Sequence, residues 1–327
     1  MSAQAHAIPP DAPGRPDVIV LGQGKAGTSL IYRVLERHPE VGTSQPKELH
    51  YFTANHDRGA AWYLQHFAEA RGKPVVVEVS PSYLRPEAID RIARDLGTGV
   101  RVVFSLRRPI EQAYSRYLQN LCARQEPLGF SPKPGWLWRR LKIVIAALDR
   151  LHAQFPPENI LPLFFEKDIA TETPGFEARL IDFLGLPGPE RLPEIADDRV
   201  NPGILPRYLF SGDQDLRIWS GADKYILPAD TLVFCGQPRN SLVEPAPGAA
   251  RVAEAMAVQS RWTTEICRDT YAALRERVVL PMAERIGARF GYDLSHWDVP
   301  PRRIAYPAAP PPAQFRAAPV PNRAGSP

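Results

Sequence analysis

One short stretch constrains the fold of this 327-residue chain more than any other. The apolar run Asp17-Val18-Ile19-Val20-Leu21 stops at a glycine-rich turn, Gly22-Gln23-Gly24-Lys25-Ala26-Gly27, and Leu30, Ile31, Val34 and Leu35 then recur at helical spacing between Thr28 and His38. A strand of consecutive apolar residues, without polar alternation, is covered on both faces, which is the situation of a parallel strand. A glycine-rich link from such a strand into a helix gathers backbone N–H groups at the positive end of the helix dipole, where phosphates bind. Thr28 and Ser29 add hydroxyl donors at the same point. The stretch therefore predicts an anion-binding loop, although a ligand-free turn between strand and helix would use the same glycines.

The alternation of strand and helix continues downstream. Val75–Val79, Val100–Leu106 and Ile160–Phe165 are apolar runs of strand length, whereas Glu87–Leu96, Leu141–Phe155 and Phe176–Leu184, closed by Gly185, have helical periodicity. Pro109 opens a further helix, because proline suits the first helical position. This order predicts an α/β protein: a single P-loop-like domain with a central parallel β-sheet flanked by helices. Beyond Pro187 the pattern thins, with one strand expected at Thr231–Phe234, and helical periodicity returns over Ala250–Phe290, broken at Pro281. The domain is expected to span residues 17–299. Residues 1–16 carry Pro9, Pro10, Pro13 and Pro16, and residues 300–327 hold nine prolines and seven alanines, so both are expected to be disordered.

Composition narrows the partners. The net charge of +4 comes from Arg302, Arg303, Arg316 and Arg323 in the tail, which leaves 36 basic and 36 acidic residues in positions 1–299. A formally neutral domain argues against a nucleic-acid-binding face. No run approaches the ~18 apolar residues of a membrane span, and the N-terminal stretch lacks the pattern of a signal peptide, so a cytoplasmic protein is expected. Cys122, Cys235 and Cys267 form no CxxC pair, which suggests neither a disulfide framework nor a zinc site, and no metal is expected.

Two familiar phosphate motifs fail at the loop. The nucleotide-triphosphate P-loop needs GxxxxGK followed by Ser or Thr. Gly22 and Gly27 have that spacing, but Thr28 stands at the lysine position and the lysine lies upstream as Lys25. A dinucleotide fingerprint lacks its acidic ribose partner. A second signal lies about 80 residues on: Arg107 ends a strand, and Ser115 follows eight residues later, about two turns into the next helix. An arginine fork and a hydroxyl from adjacent elements can grip one phosphate.

These residues carry a resemblance. Lys25-Ala26-Gly27-Thr28-Ser29-Leu30 is similar to the 5'-phosphosulfate loop of sulfotransferases that use 3'-phosphoadenosine 5'-phosphosulfate (PAPS), and Arg107, Pro109 and Ser115 resemble that family's 3'-phosphate motif. Leu35–Pro39 and Pro46-Lys47-Glu48-Leu49-His50-Tyr51-Phe52 resemble the branch that includes heparan-sulfate sulfotransferases and bacterial relatives. Val77–Leu84 and Tyr292–Trp297 match further family segments. Two departures stand out: Val79 occupies a position where several relatives have lysine, and Gln119 one where N-sulfotransferases can carry histidine.

The resemblance implies that PAPS is bound by Lys25, Ala26, Gly27, Thr28, Ser29, Arg107 and Ser115, with Lys25 stabilising the leaving phosphate. It points to Glu48 as general base, with His50 the rival because imidazole titrates near neutral pH. Lys47, Glu78 and Ser80 would lie toward the substrate, although Glu78 equally suits a buried structural carboxylate. Trp136 and Trp138 would stack on a sugar or cover a helix start. The implied acceptor is a hydroxyl of a carbohydrate, glycolipid or other small molecule. The alternatives are a P-loop-type small-molecule kinase and a non-catalytic binding protein that keeps the nucleotide fold.

Overall fold

The computed structural model describes residues 6–122, 130, 132–170, 175–188, 206–210, 216–220, 223–227, 232–236, 266 and 268–304. The helical periodicity expected over 250–265 and the tail from residue 305 onward lie outside the described residues. The chain divides into two compact units, the first comprising Met1–Gln112, Gly135–Val200 and Val279–Asp298, the second Ala113–Pro134, Asn201–Val278 and Val299–Pro327.

The first unit is built on five strands, β1 (Val18–Gly22), β2 (Val41–Thr43), β3 (Val75–Val79), β4 (Arg101–Leu106) and β5 (Ile160–Phe164), in the order β2-β3-β1-β4-β5. Every pair is parallel. Burial on both faces explains the uninterrupted apolar strands: all five residues of β1 and all five of β3 are buried, including Glu78. On one face Val18, Val20, Val77, Val79 and Val103 pack with Ile31, Val34 and Leu35 of helix α1 (Thr28–Arg37) and with Leu180, Ile181 and Leu184 of helix α6 (Phe176–Leu184). Each such aliphatic side chain contributes about 1.5–3 kcal/mol on burial. The strand order reverses between β1 and β4, and open α/β sheets bind ligands outside the carboxyl ends of their strands at such a switch point.

The remaining helices of this unit are α2 (Gly59–Gln65), α3 (Pro86–Leu96), α5 (Pro134–Gln154) and a late helix (Leu280–Phe290), here α8. Helix α4 (Pro109–Cys122) begins in the first unit and continues into the second. Residues 6–16 do not conform to the disorder expected from their prolines. Ile8 is buried and donates its N–H to Asp95 O over 2.8 Å, Arg15 bonds Leu96 O, and the His6 ring stacks on His56 at 4.1 Å. Prolines lower the entropy cost of an extended strap, so one apolar anchor and a few backbone bonds suffice. His6, His56 and Asp95 have metal-like proximity. The Asp95 carboxylate is nevertheless taken up by His56 Nε2 and Arg94 Nε, each at 2.7 Å.

The second unit contains two antiparallel pairs. Strand β6 (Pro206–Phe210) pairs with β9 (Leu232–Gly236), and β7 (Leu216–Ser220) with β8 (Asp223–Leu227). Of these four, β9 is the strand expected from the sequence at Thr231–Phe234. Helix α7 (Arg268–Leu274) follows, and Ile304 forms an isolated bridge with Ile266. Among the described residues no helix is long and apolar enough to cross a membrane.

Candidate active site

The glycine-rich loop leaves the end of β1 where that strand touches β4. Gly22 faces Ser105 in register, and a Cβ at Gly22 would lie 2.4 Å from Ser105 Oγ and 2.7 Å from Ser105 O, so only glycine fits. Gly27 caps α1 with φ 89°, a left-handed conformation, and its carbonyl accepts the N–H groups of Leu30 and Ile31. The N–H groups of Thr28 and Ser29 precede the first helical bond, and the first turn of α1 carries no acidic residue. The helix start thus keeps its full positive character for an anion. Lys25 also has positive φ, at 77°. For a residue with a Cβ this is strained by about 1–2 kcal/mol, and such strain concentrates at functional sites.

Three contacts from neighbouring elements hold the loop. Arg107, just past β4, donates from its guanidinium to Lys25 O over 2.9 Å and receives the Gln23 side-chain oxygen on its own N–H over 3.0 Å. Gln112, in the first turns of α4, donates to Gly24 O over 2.7 Å. The Arg107 guanidinium also lies 4.1 Å from the ring centre of Phe165, in a π-helical turn (Phe165–Ile169) that follows β5. The same turn backs Gly27, since a Cβ there would lie 2.9 Å from Ile169. Gln23, Gln112 and Phe165 were not singled out from the sequence. Their partners are main-chain atoms or a cation supplied from distant positions, and a side chain that serves a backbone N–H or oxygen leaves no motif of its own. Glu166, in the same turn, accepts the Arg108 N–H over 3.0 Å at the start of α4, and burial raises its pKa from its ordinary value.

The Lys47–His50 segment approaches from the end of β2. Lys47 Nζ donates to Ser29 Oγ over 3.1 Å and to Glu48 Oε1 over 2.7 Å, so it links the start of α1 to the candidate base. His50 Nε2 stands 3.9 Å from Glu48 Oε2. Glu48 and His50 both adopt left-handed backbone, with φ 64° and 52°. Lys47, Glu48 and Ser29 are therefore brought together, and His50 joins them through Glu48. Lys25 and Arg107 meet through a main-chain oxygen. Ser115 is buried on α4 in the second unit, so its pairing with Arg107 rests on sequence spacing alone. Trp136, at the start of α5, has the Arg140 guanidinium 4.9 Å from its ring centre, and Glu78 and Ser80 are both fully buried.

Glu78 has no exposed surface. Tyr63 donates to its Oε2 over 2.5 Å, while Tyr83 and Ser80 donate to Oε1 over 2.6 and 2.8 Å. Burial pushes its pKa up to about 7, against the lowering effect of the three hydroxyls. With both oxygens engaged inside the core, Glu78 is a structural carboxylate in this structure, and Ser80, also fully buried, serves it. The sequence could not separate this from a cleft residue, because strand-end position is shared by both roles.

A parallel α/β unit with a strand–glycine loop–helix at its switch point and converging basic side chains defines a class of anion-binding nucleotide folds. No family model matches the chain. Among curated proteins, mouse heparan sulfate glucosamine 3-O-sulfotransferase 6 is 27% identical over 187 residues, covering 53% of this chain and 54% of that protein. Human heparan sulfate glucosamine 3-O-sulfotransferase 3B1 is 28% identical over 186 residues, covering 52% and 46%. The chain thus spans about half the length of the curated relatives it matches. A solved sulfotransferase from Alicyclobacillus acidocaldarius superposes with a TM-score of 0.54 at 20% identity, over 86% of this chain and 98% of that one, and shows the shared fold. The chain is thus similar to sulfotransferases over about half its length and shares the fold of a solved one.

Proposed function

We propose that the protein transfers a sulfuryl group from PAPS to a hydroxyl of a carbohydrate or other small molecule. The observation that carries this reading is the three-way contact in which Lys47 joins Ser29 at the start of α1 to Glu48. It sets a carboxylate beside an anion-binding helix terminus, the juxtaposition that in-line transfer from a phosphosulfate requires. The residues fit the donor: the helix start is uncapped by acid, Thr28 and Ser29 supply hydroxyls, and Arg107 is anchored at the loop for the 3'-phosphate, with Ser115 assigned to the same phosphate from its spacing. The names of the curated relatives, which act on heparan sulfate glucosamine, support a sugar hydroxyl as acceptor.

When bound, PAPS supplies a sulfur at which the acceptor oxygen forms a bond while the bond to the bridging phosphate oxygen breaks. Glu48 takes the acceptor's proton as its oxygen becomes nucleophilic, and the nearby His50 is the alternative base. Lys25 would neutralise the charge that develops on the departing phosphate, and the N–H groups of Gly27 and Thr28 would hold the 5'-phosphate. Lys47 keeps Glu48 oriented toward Ser29.

The test is ligand-dependent melting combined with transfer of labelled sulfate in a screen of acceptor hydroxyls. PAP or PAPS should raise the melting temperature while Mg-ATP does not, and Lys25→Ala should abolish transfer with its fold intact. Mg-dependent stabilisation by ATP with phosphoryl transfer would establish the kinase reading instead.

A further inference from the structure

The Lys47–His50 segment has an uncommon backbone. Two of its four residues hold positive φ without being glycine. Each costs about 1–2 kcal/mol and persists only where surrounding contacts over-determine it. Thr53 and Asn55 donate their N–H groups to His50 O, the Asn55 side chain donates to Leu49 O, and three further contacts come from the end of β3 and the turn that follows it. Glu48 donates its N–H to Val79 O over 3.2 Å, His50 donates its N–H to Ser80 Oγ over 3.4 Å, and His50 Nδ1 lies 2.8 Å from Ser82 Oγ.

Ser80 is the hinge of this arrangement. A serine hydroxyl has one proton to donate and lone pairs that accept. Its proton goes to Glu78 Oε1 at 2.8 Å, which turns the lone pairs outward to meet the His50 N–H. A serine with a free rotor would offer that N–H its proton as readily as its lone pair. Glu78 is itself fixed by Tyr63 and Tyr83, so the hydroxyl direction is inherited from a fully buried network.

We propose that Glu78 is a positioning residue for the base segment: it fixes the direction of the Ser80 hydroxyl, and Ser80 in turn holds the His50 N–H, which with the Val79 carbonyl on the Glu48 N–H keeps the segment in the left-handed conformation that sets Glu48 beside Lys47. Glu78 never touches substrate. In its ionised form the carboxylate accepts three hydroxyl protons on two oxygens; a glutamine would present one acceptor oxygen and an N–H2 group that forces a hydroxyl to reverse at every pH. The importance of the segment rests on the sulfotransferase reading, but its geometry does not.

Amide hydrogen exchange on the full chain tests this, with Glu78→Gln, Ser80→Ala and Ser80→Thr compared to the parent. Exchange at Glu48–His50 should rise about tenfold or more in Glu78→Gln and Ser80→Ala, while amides of Gly24–Ser29 and the Kd for PAP change less than twofold. Ser80→Thr keeps the hydroxyl and should restore slow exchange. The proposal is overturned if the segment's exchange is unchanged in folded variants, or if it rises equally across β1, β3 and β4, the mark of general support. Should Glu78→Gln fail to fold, the Ala and Thr variants at position 80 decide the question. Failure of the parent to bind PAP would sink the sulfotransferase reading and leave the exchange result standing.

Discussion

Arg107 donates to the carbonyl oxygen of Lys25 over 2.9 Å, across 82 residues of sequence, so the two cations assigned to opposite ends of one donor molecule are mechanically joined. The contact also engages the backbone of a residue with positive φ, which an arginine fork can do while its other N–H groups face a ligand. Arg107→Lys keeps the charge but not the fork. It is expected to weaken PAP binding at least tenfold in titration calorimetry, with Arg107→Ala weaker still. Binding unchanged in Arg107→Lys would show that the fork is not used.

Lys25 separates strain from chemistry. Because its φ of 77° penalises any Cβ, Lys25→Gly should be more stable than Lys25→Ala by about 1 kcal/mol in urea unfolding. Both substitutions remove the ammonium and should abolish sulfate transfer equally. A Gly variant that is no more stable than the Ala variant would mean the left-handed turn is not maintained in solution.

Much of the first unit was legible because it is written in runs. The apolar β1, β3 and β4, the glycines of the loop and Arg107 at a strand end all follow from burial on two faces and from phosphate chemistry. What escaped was written in single contacts. Strand β2 is three residues long, too short for a period, and Gln23, Gln112 and Phe165 act on atoms brought near only by the fold. Glu78 was visible as a strand-end carboxylate, but the tyrosines that claim it lie 15 residues before and 5 after, and no spacing rule links them. Val79, expected from the resemblance to be a departure from the lysine of several sulfotransferases, is wholly buried in the core.

The N-terminal strap offers a test of packing against composition. Ile8 is buried, its N–H bonds Asp95 O, and His6 stacks on His56. Ile8→Ala should cost about 2–4 kcal/mol, at the level of a core truncation. A change below about 0.5 kcal/mol in chemical unfolding would return residues 6–16 to the disordered state their prolines suggest.

Burial pushes Glu78 up to about 7, which gives a pH signature of unusual sign for a carboxylate. Between its ordinary value of 4.5 and about 7 the native state holds a proton that the unfolded chain has lost. Stability from this group is therefore present in full below 4.5 and declines as pH rises through that window, by up to about 3 kcal/mol from the linkage of 1.36 kcal/mol per unit. His56 works in the other direction: burial lowers its pKa, so the unfolded chain protonates first and stability rises with pH through the same region. His152, His296 and Glu166 are shifted as well, so the parent's curve mixes several groups, and the informative quantity is the difference between parent and Glu78→Gln. That difference should change steadily from pH 4.5 to 7 and level off above it, measured by urea unfolding at matched ionic strength. A difference independent of pH would mean that Glu78 titrates normally and is not sealed in the core by Tyr63, Tyr83 and Ser80.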